Sequence, residues 1–401
     1  MSLFRAAVAS LLGLLLVAGC TGDRQPEPDP ADAVRTVLPE AETTVAEGTG
    51  AVDLAVAASQ ALYLGSPAVV LVGEGDAEAL PRAVEVAVDL GVPLLVTPAA
   101  GEPAAPVQEP ARAAEPATDP TAGPAPSDGV LAEIQRLGAR AVITAGAAAA
   151  QWAATPTFPP GVAVVTVDDP VPVAVTSPAP LSSLLVLAEG TPADAAAVAA
   201  ARAAGARVLE LGATDPRATA ASVQAIAAAL SGNASTDEVA SVDRVLALGS
   251  AFGPADRLRQ RVATAATGVQ LPGGGQLVFP GRRMVALYGH PGDPGLGVLG
   301  EQPVEAAIGR AQQLAASYQA YVTEPVVPAF EIIVTVATGR TGSRAHPVEK
   351  FRPWVQAARE AGVYVVLDLQ PGDMHFLEQA RLYEELLREP HVGLALDPEW
   401  R

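Results

Sequence analysis

The feature that most narrows the fold is an alternation of short apolar runs with alanine-rich helical segments, and it occurs twice. Ala68-Val69-Val70-Leu71-Val72-Gly73 is apolar at every position and rich in valine. A run this uniform and this short predicts a strand covered on both faces, as in a parallel sheet. Val52 to Leu64 before it has the helical spacing of Val, Leu and Ala, and Asp76 after it stands where it can cap a helix running to about Leu90. Gly91 to Thr97 and Ala141 to Gly146 give two further strands, with a helix from Val130 to Leu137 between them. The same order returns as strand Leu184 to Gly190, helix Ala193 to Ala204, strand Ala206 to Leu211, helix Ala218 to Leu230 and strand Arg244 to Gly249. A repeat at roughly 115 residues predicts duplicated units over 51–160 and 161–270, each a Rossmann-like three-layer α/β repeat with right-handed crossovers.

Composition matters where the rhythm is interrupted. Pro98 to Asp128 carries eight prolines among alanine, glutamate and threonine, which predicts a loosely packed insertion. Leu271-Pro272-Gly273-Gly274-Gly275-Gln276 lacks the Gly-x-Gly-x-x-Gly spacing and does not lie between a strand and a helix. It reads as a linker over 271–281, and no cofactor is expected. The net charge of −19 argues against nucleic acid, and against anionic wall polymers held by charge alone. A neutral glycan, peptidoglycan or a protein partner fits better. One cysteine among 401 residues excludes an internal disulfide, so stability must come from packing.

That cysteine closes an amino-terminal signal. Arg5 supplies a positive n-region, and Ala6 to Val17 is an almost unbroken apolar run too short for a comfortable transmembrane helix. Leu14-Leu15-Leu16-Val17-Ala18-Gly19-Cys20 then resembles the lipobox of bacterial lipoproteins. The resemblance implies a signal peptide over 1–19, cleavage before Cys20, and acylation of its thiol and new amino group. Two or more acyl chains anchor a protein stably, which would place this one on the outer face of the cell membrane. Residues 20–50, with proline alternating with charge from Asp23 to Pro30, read as a Pro/acidic tether. Lys350 is the only lysine in a chain rich in arginine and alanine, a bias that resembles GC-rich actinobacterial genomes.

Gly75-Asp76-Ala77, Pro93-Leu94-Leu95-Val96-Thr97 and Leu137-Gly138-Ala139-Arg140-Ala141-Val142-Ile143-Thr144-Ala145-Gly146 together resemble the cell wall-binding repeat 2 family. The resemblance covers about residues 50 to 250 and implies binding of cell-wall material.

Beyond the linker, Met284–Leu287, Val326–Val336, Val363–Leu367 and Val392–Leu396 read as strands, with helices over 303–321, 353–361 and 374–387. This predicts a partial (β/α) barrel over 282–401. Side chains two apart on a strand share a face, so Tyr288 with His290, Asp368 with Gln370, and Asp397 with Glu399 should project together from the carboxyl ends. Active sites of (β/α)-barrel enzymes lie at that edge. The apolar strand ending in Asp397 and Glu399 resembles the acidic strand end of barrel glycosidases, chitinase-like ones among them. That resemblance implies Glu399 as proton donor to the leaving oxygen, Asp397 as its like-charged neighbour, and Asp368 orienting water or substrate. Tyr288, His290, Gln370, Glu331 and Trp400 would line the sugar subsite. The same His290, Asp368, Asp397 and Glu399 could instead hold a divalent metal, or the domain could be inert beside a wall-binding stack. His346 and His391 read as solvated. Replacing Cys20 with Ala should release the protein from the membrane fraction; intact-mass spectrometry of native protein showing an unmodified thiol at position 20 would contradict the anchor.

Overall fold

A computed structural model describes residues 29–99, 126–231, 241–338, 342–372 and 374–398. The chain opens with strands β1 (Arg35–Thr36) and β2 (Thr43–Ala46), helix α1 (Ala51–Leu62) and β3 (Tyr63–Gly65). The first repeat follows as β4 (Ala68–Gly73), α2 (Leu80–Leu90), β5 (Leu94–Thr97), α3 (Pro126–Leu137), β6 (Ala141–Ala145), α4 (Gly146–Ala153) and β7 (Ala163–Thr166). The second comprises β8 (Leu184–Ala188), α5 (Ala195–Ala203), β9 (Arg207–Glu210), α6 (Ala220–Leu230), β10 (Arg244–Leu248) and α7 (Ala255–Ala266).

The protein is α/β, built on parallel sheets. The strand orders are β5-β4-β6-β7 and β9-β8-β10-β2, which correspond strand for strand. One exchange breaks the symmetry: the fourth strand of the second sheet is β2, which precedes both repeats. Thr43 to Ala46 pair with Val245 to Leu248, and Val34 is buried. The tether expected over 20–50 therefore contains folded chain from Pro30 onward. β7 likewise joins the first sheet although it begins inside the range expected for the second unit.

The two sheets share helices. α1 packs on α5, α3 and β5, while α2 packs on α5 and β4. Ala196 to Ala201 and Ala203 of α5 are all buried, and their small side chains let α5 sit close to every neighbour. One core runs from Val70 and Leu95 of the first sheet through Ala58 and Ala200 to Val186 and Leu246 of the second. The far face of the second sheet, with Leu185 and Leu187, packs on Ile226, Leu258 and Val262 of α6 and α7. The buried Tyr63 hydroxyl donates to Ala200 O at 2.8 Å and so bonds β3, just ahead of the first repeat, to α5 of the second.

The linker is structured. Gln276 N donates to Arg217 O at 2.8 Å, and the Arg282 guanidinium bonds the carbonyls of Pro272 and Gly274. Gly273, at φ +83°, lies where a Cβ would come within 2.6 Å of the Val327 side chain. Past it run β11 (Arg283–Gly289), α8 (Val304–Gln319), β12 (Val326–Thr338), β13 (Gly342–Ala345), α9 (Arg352–Ala361), β14 (Tyr364–Leu369), α10 (Phe376–Leu382), α11 (Glu384–Leu387) and β15 (Val392–Leu396). Here β11, β12, β14 and β15 are parallel neighbours in chain order, and β13 folds back antiparallel on β12. Leu287, Phe330, Ile332, Val334, Val365 and Leu367 form a core with Ala307, Ala311, Val355 and Ala358 of the helices. The single helix expected over 374–387 is divided at Tyr383, where φ is −110° and ψ 15°. Its hydroxyl lies 2.7 Å from the carbonyl oxygens of both Val334 and His346.

Burial pushes the Tyr383 phenol up to about 12 and raises that of Tyr63 as well. The folded chain keeps protons that the unfolded chain releases near pH ~10. This contribution is therefore fully present below about pH 10 and is lost as pH rises toward about 12. Urea unfolding across that window should show stability falling with pH, less steeply in a Tyr383→Phe variant; an unchanged slope would contradict it. Tyr63→Phe should cost about 1–2 kcal/mol at neutral pH by removing the bond to Ala200.

Candidate functional site

The site is set by strand register. Tyr288 lies opposite Glu331, Glu331 opposite Val366, and Asp368 opposite Ala395. Alternation then puts Tyr288, Glu331 and Asp368 on the face turned away from the core formed by Leu287, Phe330, Ile332 and Leu367. Asp397 N donates to Leu369 O at 3.0 Å, which extends the ladder past β15 and keeps Asp397 on the face of Asp368. Tyr288, Asp368 and Asp397 stand at the carboxyl ends of their strands, whereas Glu331 lies midway along the longer β12.

Tyr288 Oη donates to Asp368 Oδ2 at 3.3 Å. Asp368 is 2% exposed, whereas Tyr288 is 42% exposed and reaches solvent. Burial pushes the Tyr288 phenol up to about 12, and the negative charge and hydrogen bond of Asp368, then the charges of Asp397 and Glu331, act in the same direction. Tyr288 thus senses three carboxylates at once and stays a neutral hydrogen-bond donor throughout the physiological range.

Two expected members stand elsewhere. Gly289 has φ +143°, and its Cα faces Leu296 O and Gly297 so closely that a Cβ would meet them at 2.8 Å. That backbone turns His290 out of the strand alternation. Its Nδ1 bonds Ile333 O at 2.7 Å, its Nε2 faces Lys350 Nζ at 2.5 Å, and its ring packs on His346 at 4.2 Å and on Phe351 of the helix-side core. Nδ1 therefore carries the proton and Nε2 accepts from the ammonium. Burial, with the Lys350 charge beside it, holds His290 below the ordinary imidazole range. Gln370 is also taken up in structure: its side-chain oxygen accepts from Ala337 N at 3.2 Å, and its backbone N donates to Thr335 Oγ1 at 2.8 Å. It clamps the end of β14 to β12. His391, expected to be solvated, is 3% exposed, with Nε2 bonded to Val355 O at 2.9 Å. His346 is half-buried on His290. Glu399, Trp400 and Cys20 lie outside the described residues.

With His290 engaged by Ile333 and Lys350, the metal alternative loses its nitrogen donor. Among the described residues no group of three or more His, Cys, Asp or Glu is arranged to hold a metal ion. Sequence reasoning missed Lys350 as a partner of His290; its being the sole lysine was the available signal. Also among the described residues, no helix is long and apolar enough to cross a membrane.

Fold and site together define an α/β protein with a carboxylate and phenol cluster on the face of a parallel sheet turned away from its helix-packed core. No family model, no curated protein and no solved structure matches the chain. Ultraviolet titration of wild type against Tyr288→Phe should assign Tyr288 an ionisation near 12. Asp368→Asn should lower it, and a wild-type value near ~10 would show that the cluster does not form in solution.

Proposed function

We propose that the protein is a lipoprotein anchored at Cys20 on the outer face of the membrane, with an amino-terminal α/β stack that binds wall material. Its carboxyl-terminal unit is a (β/α)-barrel-like domain that hydrolyses an envelope glycan. The observation that carries this reading is the contact of Tyr288 with Asp368 at the carboxyl ends of parallel strands, with the charges of Asp397 and Glu331 close enough to act on the phenol. Strand order supports it too, since neighbours in chain order match the first half of a barrel.

Hydrolysis of a glycosidic bond needs one carboxyl group to protonate the leaving oxygen and a second to act on water or on the sugar carbon. Glu399, by its resemblance to the acidic strand end of barrel glycosidases, is the proton donor. Asp368, buried and oriented by Tyr288, takes the proton of the attacking water. Tyr288 holds Asp368 and presents a neutral hydroxyl toward the substrate, while Asp397 and Glu331 line the site as further acceptors for sugar hydroxyls.

The test is release of reducing ends from isolated envelope glycan by the full-length protein. Glu399→Gln and Asp368→Asn should each lower the rate by about a hundredfold or more. Tyr288→Phe, which keeps the ring and loses the donor, should lower it roughly tenfold. Undiminished release by the carboxylate variants would reject the hydrolase assignment. Retained sedimentation with walls, with no release by the wild type, would instead support a binding protein without catalysis.

A further inference from the structure

A second feature lies at the opposite, amino-terminal edge of the same sheet. Phe279, Tyr318 and Tyr321 are 60%, 52% and 82% exposed. All three line one cleft of about 740 Å³, together with Pro280, Arg283 and Glu324. Phenylalanine, tryptophan and tyrosine make up only 4% of this chain, and the one other exposed member among the described residues is Tyr288 in the carboxylate cluster. Leaving three large rings in water at one place costs free energy that scattered substitution would not concentrate there.

The walls of the cleft are held in place. The Gln319 side chain donates to Val322 O at 3.3 Å and Glu324 O at 3.1 Å and accepts from Val326 N at 2.9 Å, which fixes the turn carrying Tyr321. On the other wall the Arg282 guanidinium ties the segment next to Phe279 to the linker carbonyls of Pro272 and Gly274. The cleft is thus pre-formed, and a ligand entering it would meet little ordering cost.

Charge then selects the ligand. Arg283 and Glu324 pair at 3.6 Å, and the remaining lining charge, Arg282, is buried with its guanidinium on the carbonyls of Pro272 and Gly274, so the solvent-facing charges of the cleft balance on a chain of net charge −19. An ionic ligand would compete with that pair, whereas hydroxyl groups can accept from Arg283 and donate to Glu324 while it stays intact. Ring faces beside a neutral donor and acceptor pair match a pyranose, whose C–H face stacks on an aromatic ring while its hydroxyls hydrogen-bond at the rim. We infer that the cleft formed by Phe279, Tyr318, Tyr321, Arg283 and Glu324 is a binding site for a neutral glycan chain, at the edge of the sheet away from Asp368. This assignment does not require the carboxylate cluster to be catalytic.

The experiment is titration of the full-length protein with chitotetraose, followed by saturation-transfer NMR, with circular dichroism confirming that each variant is folded. Wild type should bind. Tyr318→Ala and Tyr321→Ala should each weaken binding about tenfold, and Tyr321→Phe, which keeps the ring, should stay within about twofold of wild type. Leu377→Ala, at an exposed apolar position on α10 that does not line the cleft, should leave this affinity unchanged. No binding by wild type, full binding by a Tyr318→Ala/Tyr321→Ala double variant, or an equal loss of binding in Leu377→Ala would each overturn the assignment. So would a decaproline peptide occupying the cleft where the sugar does not.

Discussion

The parallel register across β11, β12, β14 and β15 is the constraint on which the candidate chemistry rests. Leu367 and Leu369 are fully buried against the helices, and Asp368 between them must face the other way. A slip of one residue would drive Asp368 into the apolar core and expose both leucines. Burying a leucine is worth about 1.5–3 kcal/mol, so each misplaced side chain would cost a large share of ordinary domain stability. The same holds for Tyr288 beside Leu287 and for Glu331 between Phe330 and Ile332. The polar face is therefore fixed by apolar packing on its reverse, which is how a rigid scaffold can hold like-charged groups near one another.

In the amino-terminal stack a different economy operates. Two sheets are joined through helices whose buried faces are mostly alanine, so the layers approach closely without large side chains to interdigitate. Closure depends on β2, which reaches the second sheet before the first repeat begins. The start of the folded chain is thereby bound to strands some 200 residues later, as in the pairing of Val245 with Thr43. In the lipoprotein reading, any pull on the anchor acts first on Ala33 and β1, which pair with Thr176 and β3, and only then on β2.

Much of this was legible in sequence where interactions are local. The all-apolar run of β4 and its counterpart β8 identify buried parallel strands because nothing else uses valine and leucine so uniformly over so few residues. Alternation places Tyr288, Asp368 and Asp397 on one face, and the structure brings Tyr288 against Asp368. β2 was not legible, since Thr-Thr-Val-Ala has no apolar alternation and its partner β10 is distant in the chain. β7 is half exposed and short, so its pattern is equally weak. His290 was misplaced because period-two reasoning assumes ordinary strand dihedrals, and Gly289 departs from them. Gln370 lies past a register shift between Ile333 and Thr335, where counting by twos no longer tells which neighbour a side chain meets. The buried His391 shows a third limit: a histidine before a strand can satisfy one ring nitrogen on a helix carbonyl and vanish into the core.

The aromatic cleft and the carboxylate cluster sit at opposite edges of one sheet, so a glycan-binding surface and a glycan-cleaving edge would share a scaffold without sharing residues. The most direct test of the central claim is a crystal structure of the full-length Glu399→Gln protein soaked with chitotetraose. The account predicts a sugar ring within hydrogen-bond reach of both the Tyr288 hydroxyl and the Asp368 carboxylate. A structure in which sugar occupies the protein elsewhere while that edge stays empty would contradict it.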